Sequence, residues 1–129
     1  MIQSFRDLRA YQKAREETRR IYEISKQFPK EEQYSLTDQI RRSSRAVSAI
    51  LAEGWGRRRY PAAFANKMDE ALSEAMETQA WLDHALDCGY VTAPVFEEMD
   101  QAWQNIGGML NRMIERTDAF CASAKRQLS

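Results

Sequence analysis

The stretch from Pro94 to Phe120 reads PVFEEMDQAWQNIGGMLNRMIERTDAF, and its apolar residues recur at alternating intervals of three and four. This spacing puts them on one face of an α-helix and is the heptad pattern of a helix packed lengthwise against others. Gly107 and Gly108 each cost about 1 kcal/mol relative to alanine inside a helix, so we expect a close contact or a slight bend there. The inward positions are Val95, Met99, Ala102, Ile106, Met109, Met113, Thr117 and Phe120.

Three earlier segments show the same periodicity, separated by the few prolines and glycines of the chain. The first helix is predicted over about Asp7–Gln27, and the third begins at Pro61, a favoured first-turn residue. The second is predicted to open at Ser35, an N-cap with Asp38 three residues on. Gly54 is predicted to end the second helix, and Gly89 the third, each as a left-handed residue.

Four amphipathic helices with short connections predict an all-α fold, an antiparallel up-down-up-down four-helix bundle. At 129 residues the chain is long enough to bury roughly two thirds of its unfolded surface in one core, so residues 1–129 are expected to form a single domain. The adjacent small residues Ser43 and Ser44 lie on the inward face of helix two, where they predict close approach of a neighbouring helix. The expected helix positions of Cys88 and Cys121 are too far apart for a disulfide.

The chain is neutral overall, with 19 basic and 19 acidic residues, but its charge is segregated. Residues 6–30 and 41–59 are mainly basic, whereas residues 66–87 and 95–118 are mainly acidic. The basic half could face phosphate, or it could face the acidic half of a neighbouring subunit. Salt bridges on the solvated faces of one bundle are the third interpretation, and composition leaves all three open.

The segment Ala52–Pro61, AEGWGRRRYP, joins helices two and three. Arginine forks bind phosphate and aromatic faces stack on unpaired bases, so this composition indicates an RNA contact. The alternative is that its aromatic residues pack against the bundle end and the arginines are solvated. The candidate nucleic-acid-binding residues are Arg41, Arg42, Arg45, Trp55, Arg57, Arg58, Arg59 and Tyr60.

Catalytic chemistry finds little support in the sequence. His84 is the single histidine, and no partner residues complete a zinc or di-iron site around it. Glu70, Glu74 and Glu77 share a helix face without a nucleophile or base beside them, so a solvated or subunit-facing role is expected. We therefore expect no enzyme, no metal and no cofactor. No apolar run spans a bilayer and no signal peptide is evident, which predicts a cytoplasmic protein without a membrane partner.

Three segments carry a resemblance to a known family: FRDLRAYQKA, FPKEEQYSLTDQIRRSSRAVSAILAEGWGRR and EALSEAMETQAWLDHALDCGYV. Together they resemble the bacterial four-helix-bundle proteins encoded in intervening sequences of large-subunit ribosomal RNA. That family also includes the accessory variability determinant protein of diversity-generating retroelements. Gln39, Arg42, Glu53 and Gly54 match the family signature.

The resemblance implies a homopentameric ring of bundles without catalytic activity, and in the retroelement branch a basic surface that engages nucleic acid and a reverse transcriptase. That branch is strongly positive, so the neutral charge of this chain favours a stand-alone member. The expected function is RNA binding through helices one and two and the Arg57–Arg59 loop. The alternative is a protein-interaction or scaffold module whose basic and acidic faces serve assembly or a protein partner, with Glu70, Glu74 and Glu77 at the subunit interface.

Overall fold

The computed structural model describes residues 2–128, apart from the side chains at position 123 and from 125 onward. Every regular element in this range is helical. The α-helices are α1 (Arg9–Ser25), α2 (Leu36–Trp55), α3 (Pro61–Asp87), α4 (Ala93–Glu115) and α5 (Thr117–Leu128). Short 3₁₀ turns at Phe5–Asp7 and Lys30–Glu32 precede α1 and α2.

The four long helices pack in a closed order, each against the next in sequence and α4 against α1. The contacts of α2 with α3 show their direction: Ser43 meets Thr78 near the middle, and Gly54 meets Met68 nearer the end. Residue numbers thus rise along α2 as they fall along α3, which is an antiparallel pair. The predicted all-α bundle is confirmed in these helices, and their inward faces form one continuous core.

The fourth helix differs from the prediction in two respects. Its fully buried side chains include Trp103 and Leu110, whereas the predicted Ala102 and Met109 are only half-buried. Both choices satisfy a spacing of three and four, and burial of Trp103 in place of Ala102 removes much more apolar surface from water. The helix also divides at Arg116 instead of continuing to Phe120. The Thr117 hydroxyl donates to the carbonyl of Ile114, within the last turn of α4.

The helix ends correct two further predictions. The Ser35 side chain does not cap α2; the Glu32 carboxylate instead accepts from the backbone N–H of Leu36 at 3.4 Å. Gly54 is not left-handed either, since α2 continues through Trp55. Gly54 lies buried against α3, where a Cβ would overlap Cε of Met68.

The predicted left-handed cap of α3 is confirmed at Gly89, whose φ is 74°. The backbone N–H of Gly89 donates to Leu86 O at 3.0 Å, and the N–H of Tyr90 donates to Ala85 O at 2.9 Å. These two bonds are the Schellman pattern that satisfies the last carbonyls of a helix. Tyr90 then donates its hydroxyl to Glu32 at 2.8 Å, which ties the end of α3 to the α1–α2 connection.

Small residues bring the helices close together, as predicted for the serine pair. The hydroxyls of Ser43 and Thr78 lie 2.9 Å apart, both buried between α2 and α3. The Thr18 hydroxyl donates to Ser44 O at 3.1 Å, which joins α1 to α2. A Cβ at Gly107 would lie 3.3 Å from Leu72, so this glycine marks the predicted close contact, made between α4 and α3.

The additional helix α5 covers one end of the bundle, where α1 and α3 begin and α2 and α4 end. We refer to it as the arginine end, because Arg9, the Arg57–Arg59 loop, Arg112 and Arg116 all lie there. Phe120 of α5 stacks on Phe64 of α3, with ring centroids 5.6 Å apart. Cys121 and Ala124 are buried on the same face of α5.

Candidate nucleic-acid interface

A groove of about 430 Å³ runs between α1 and α2. Arg15 and Arg19 line it from α1, and Arg45 lines it from α2. Small side chains of α2, among them Ala49 and Ala52, leave the groove open. An adjoining hollow of about 210 Å³ shares the arginines of α1 and adds Arg6. Two neighbouring concavities are therefore lined by guanidinium groups.

Aromatic rings lie beside these arginines. Phe5 and Tyr11 meet edge to face, with centroids 5.0 Å apart, and both line the groove. The guanidinium carbon of Arg6 is 4.5 Å from the Phe5 ring centre, and that of Arg15 is 5.9 Å from the Tyr11 ring centre. The two rings thus contact each other, and each has a guanidinium group against it, a composition suited to phosphates and to unpaired bases.

A second cluster surrounds Tyr22, two turns farther along α1 from Arg15. The ring of Tyr22 is 4.7 Å from the guanidinium carbon of Arg41, 5.9 Å from that of Arg45 and 4.8 Å from the ammonium of Lys26. Arg41 also donates from Nε to the Ser25 hydroxyl at 2.8 Å. Two arginines predicted from the sequence, Arg41 and Arg45, are therefore held against α1 and extend the groove.

The arginines of the groove form no ion pair with any described side chain. Over residues 2–128, the carboxylates on α1 pair with other cations: Glu16 with Lys13, Glu23 with Lys26, and Glu17 with Arg20. No ion pair within that range involves Arg15, Arg19, Arg41 or Arg45. This surface keeps its positive field for an external anion.

Arg42 does not join this surface. It lies next to Arg41 in sequence, but its charge acts on Glu74 of α3. Burial and the neighbouring Glu77 raise the pKa of Glu74, and Arg42 partly offsets the rise. Consecutive helical residues point about 100° apart, which explains why Arg41 and Arg42 serve different faces.

The three arginines of the α2–α3 connection have different environments. Arg58 stacks on Trp55, with its guanidinium carbon 3.4 Å from the ring centre, and donates from Nε to Trp55 O at 2.8 Å. Burial lowers the pKa of Arg58, and Cys121 of α5 lies near enough to oppose that effect. Arg57 and Arg59 are exposed, as is Tyr60, at 60% of its full accessibility. The structure therefore separates one packed arginine from two solvent-facing ones.

The helix α2 runs from the arginines of the groove to the Arg57–Arg59 loop. Arg41 and Trp55, the last residue of α2, are separated by about 21 Å of helix axis. That length corresponds to about six base-pair steps of duplex DNA, whose rise is about 3.4 Å per step.

The predicted interface carboxylates of α3 mostly have partners within the chain. Glu70 pairs with Lys67 at 3.1 Å, and Glu77 accepts from the indole N–H of Trp81 at 3.2 Å. Glu74 is half-buried. Their spacing of four and three places the three carboxylates on one side of α3.

The four signature residues have structural settings that differ from one another. Gly54 allows the close α2–α3 approach, and Glu53 binds Lys67 of α3 at 3.1 Å. Gln39 is half-buried in the first turn of α2. Arg42 faces Glu74, as described above. At least three of the four positions therefore concern the α2–α3 contact.

The sequence prediction assigned the basic surface to helices one and two, but it named no residue on the α1 side of the groove. Tyr11, Arg15 and Arg19 follow one another at intervals of four, a spacing that places them on one helix face. That periodicity was available in the sequence. It did not show that the face adjoins Arg45, because this juxtaposition requires the packing of α1 on α2.

Residues 2–128 lack the features of two other classes of protein, metal-binding and membrane-spanning. No group of three His, Cys, Asp or Glu side chains there is arranged to hold a metal ion. None of the helices in that range combines the length and apolarity needed to cross a bilayer.

The architecture defines a class, an all-helical bundle with a basic face on its first two helices. Residues 6–112, which are most of the chain, match the model of the 23S rRNA-intervening sequence protein family, and the chain belongs to that family. The fold is also similar to the crystal structure of a protein of unknown function from the S23 ribosomal protein family of Bacteroides thetaiotaomicron, with a TM-score of 0.73. That protein is 27% identical, and the match covers 82% of this chain and 95% of the other. No curated protein matches the sequence.

Proposed function

We propose that this protein is a non-enzymatic, cytoplasmic RNA-binding bundle that contacts nucleic acid through the groove between α1 and α2. The observation that carries the proposal is the row of arginines Arg15, Arg19 and Arg45, which line a groove without an ion-pair partner among the described side chains. The exposed Arg57 and Arg59 extend the surface at its arginine end.

The test is fluorescence anisotropy with a structured RNA and a single-stranded RNA, each titrated at several salt concentrations. The variant replaces Arg15, Arg19 and Arg45 together by glutamine. If each contacts one phosphate of a single strand, the slope of log affinity against log salt falls by about 0.7 per contact, or about 2 in total.

The matched control replaces Lys13, Lys30 and Lys67 by glutamine, which removes the same charge from outside the groove. This control should retain the wild-type salt slope because its lysines do not line the groove. Equal weakening of RNA binding by both triple variants would show that binding depends only on total charge, and would refute a groove site. Absence of binding by the wild type at low salt would refute the RNA proposal as a whole.

Self-association, expected as a homopentamer, is the second part of the proposal. It is supported by the segregation of basic residues on α1 and α2 from acidic residues on α3, and by Met76, which is 57% exposed on α3. A basic face on one copy is complementary to an acidic face on the next, which is the head-to-tail contact of a ring. Light scattering should show a smaller species when Glu70, Glu74 and Glu77 are changed to lysine. An unchanged mass would show that these carboxylates do not form the subunit interface.

A further inference from the structure

A second cavity, of about 470 Å³, lies at the arginine end, apart from the α1–α2 groove. It is a half-open cavity between the start of α1, the end of α4 and the start of α5. Its apolar lining includes Leu8, Met109, Met113 and Phe120. Leu8 and Met113 are buried and form the floor, whereas Met109 and Phe120 are half-buried at the sides. The volume falls within the range of about 300–1,000 Å³ that is usual for small-molecule sites.

Three arginines, one from α1 and two from α4 and its end, also line this cavity: Arg9, Arg112 and Arg116. All three are exposed, and none forms an ion pair within the described part of the chain. Glu115 and Asp118 are neighbours of Arg116 in sequence but do not line the cavity. The dipoles of α1, which begins here, and of α4, which ends here, oppose one another, so the guanidinium groups set the sign of the local field.

The shape and the charge together select a chemical class. An apolar lining takes up a hydrocarbon, and flexible methionine side chains such as Met109 and Met113 adapt to a chain of varying conformation. Guanidinium groups pair with a carboxylate in a fork geometry, at charge-assisted hydrogen-bond distances. We propose that this cavity binds a medium-chain fatty carboxylate, with its hydrocarbon chain on the apolar floor and its carboxylate at the three arginines.

Part of the lining of this cavity lies outside the residues that match the family model. The residues that match the family model end at Arg112, whereas Arg116 and Phe120 lie beyond them. Phe120 is held in position by its stacking on Phe64 and by the buried Cys121 that follows it. The α5 side of the cavity is thus anchored to the core.

The experiment is isothermal titration calorimetry of the full chain with octanoate, decanoate and dodecanoate, each below micelle formation. Each methylene buried in the cavity should tighten binding roughly four-fold. Replacement of Arg9, Arg112 and Arg116 together by glutamine should weaken decanoate binding by at least about tenfold, because the carboxylate loses its charged partners. The triple variant of Lys13, Lys30 and Lys67 controls for the loss of charge, and decyltrimethylammonium controls for apolar adsorption.

Three results would each overturn the proposal: no heat of binding with decanoate, equal affinity for the cationic surfactant, or equal weakening by the two triple variants. Circular dichroism checks the fold of every variant. If the arginine variant does not fold, Met109→Trp serves instead, since it fills the cavity from a half-buried position and leaves the arginines in place. Undiminished decanoate binding by Met109→Trp would also refute the site.

Discussion

Replacement of Arg58 by alanine is expected to destabilise the fold, although Arg58 belongs to a run of three arginines that reads as one phosphate-binding element. The guanidinium carbon lies 3.4 Å from the ring centre of Trp55. A cation–π contact contributes about 1 kcal/mol when exposed and about 2 kcal/mol when desolvated. The bond from Nε to Trp55 O, 2.8 Å long, satisfies a carbonyl at the end of α2 and adds about 1 kcal/mol.

An opposing effect reduces this sum. Burial lowers the pKa of Arg58, and its Nη1 is buried without a hydrogen-bond partner, at a cost of about 1 kcal/mol. The net loss in Arg58→Ala is therefore about 1–2 kcal/mol, which lowers Tm by roughly 5 °C in a chain of this size. Arg58→Lys keeps the charge but loses the planar stack, so an intermediate loss is expected.

The assay is urea unfolding followed by circular dichroism, with Arg57→Ala and Arg59→Ala as matched controls. Both control side chains are exposed, and their replacement should change the free energy of unfolding by no more than about 0.5 kcal/mol. Equal stability of the three alanine variants would show that the stack on Trp55 contributes nothing to stability and that Arg58 behaves like the exposed Arg57 and Arg59.

Three other predictions concern protonation and backbone conformation. Burial raises the pKa of Glu17 above 4.5, so the ionised carboxylate lowers the stability of the fold as pH rises through that value. Glu17→Gln should therefore be more stable than wild type at pH 7, and this gain should be lost below pH 4.5. A pH-independent difference in urea midpoint would exclude this cause. The pKa of Tyr90 rises from 10.0 to about 12 because its hydroxyl donates to Glu32, so the folded state loses stability between these pH values as the unfolded chain ionises first. Tyr90→Phe should lack that part of the alkaline loss in unfolding measurements, and an identical pH profile would contradict it. Gly89→Ala places a side chain at φ 74° with nothing within 4 Å of its Cβ, so backbone strain alone should cost about 1 kcal/mol. Urea unfolding measures this loss, and unchanged stability would argue against the left-handed cap.

Most of the fold follows from local pattern. Spacing of three and four identified the inward faces of the first three helices and part of that of the fourth, and Gly89 supplied a conformation that other residues adopt only with strain. The Gly54 prediction was wrong because a glycine near a helix end has two physical uses, a left-handed turn or a close approach. The residue type is the same for both, and only the position of Met68 distinguishes them.

The candidate interface could be predicted only in part. Arg41, Arg45 and the exposed Arg57 and Arg59 were identified from composition, and the structure assigns Arg41 and Arg45 to the α1–α2 surface. The sequence could not distinguish Arg58 from its neighbours. Its different role results from the direction in which the connection turns over Trp55, which depends on how α2 meets α3.

The sequence by itself determined that the chain is helical, how its first three helices face the core, and that positive charge is concentrated in its first half. These properties are local, because they depend on residue type at helical spacing. Tertiary structure alone decided which arginines line a common groove, which one packs on tryptophan, and that α5 lines a second cavity at the arginine end. Such properties join residues far apart in the chain, and they depend on side-chain packing in three dimensions, which periodicity does not encode.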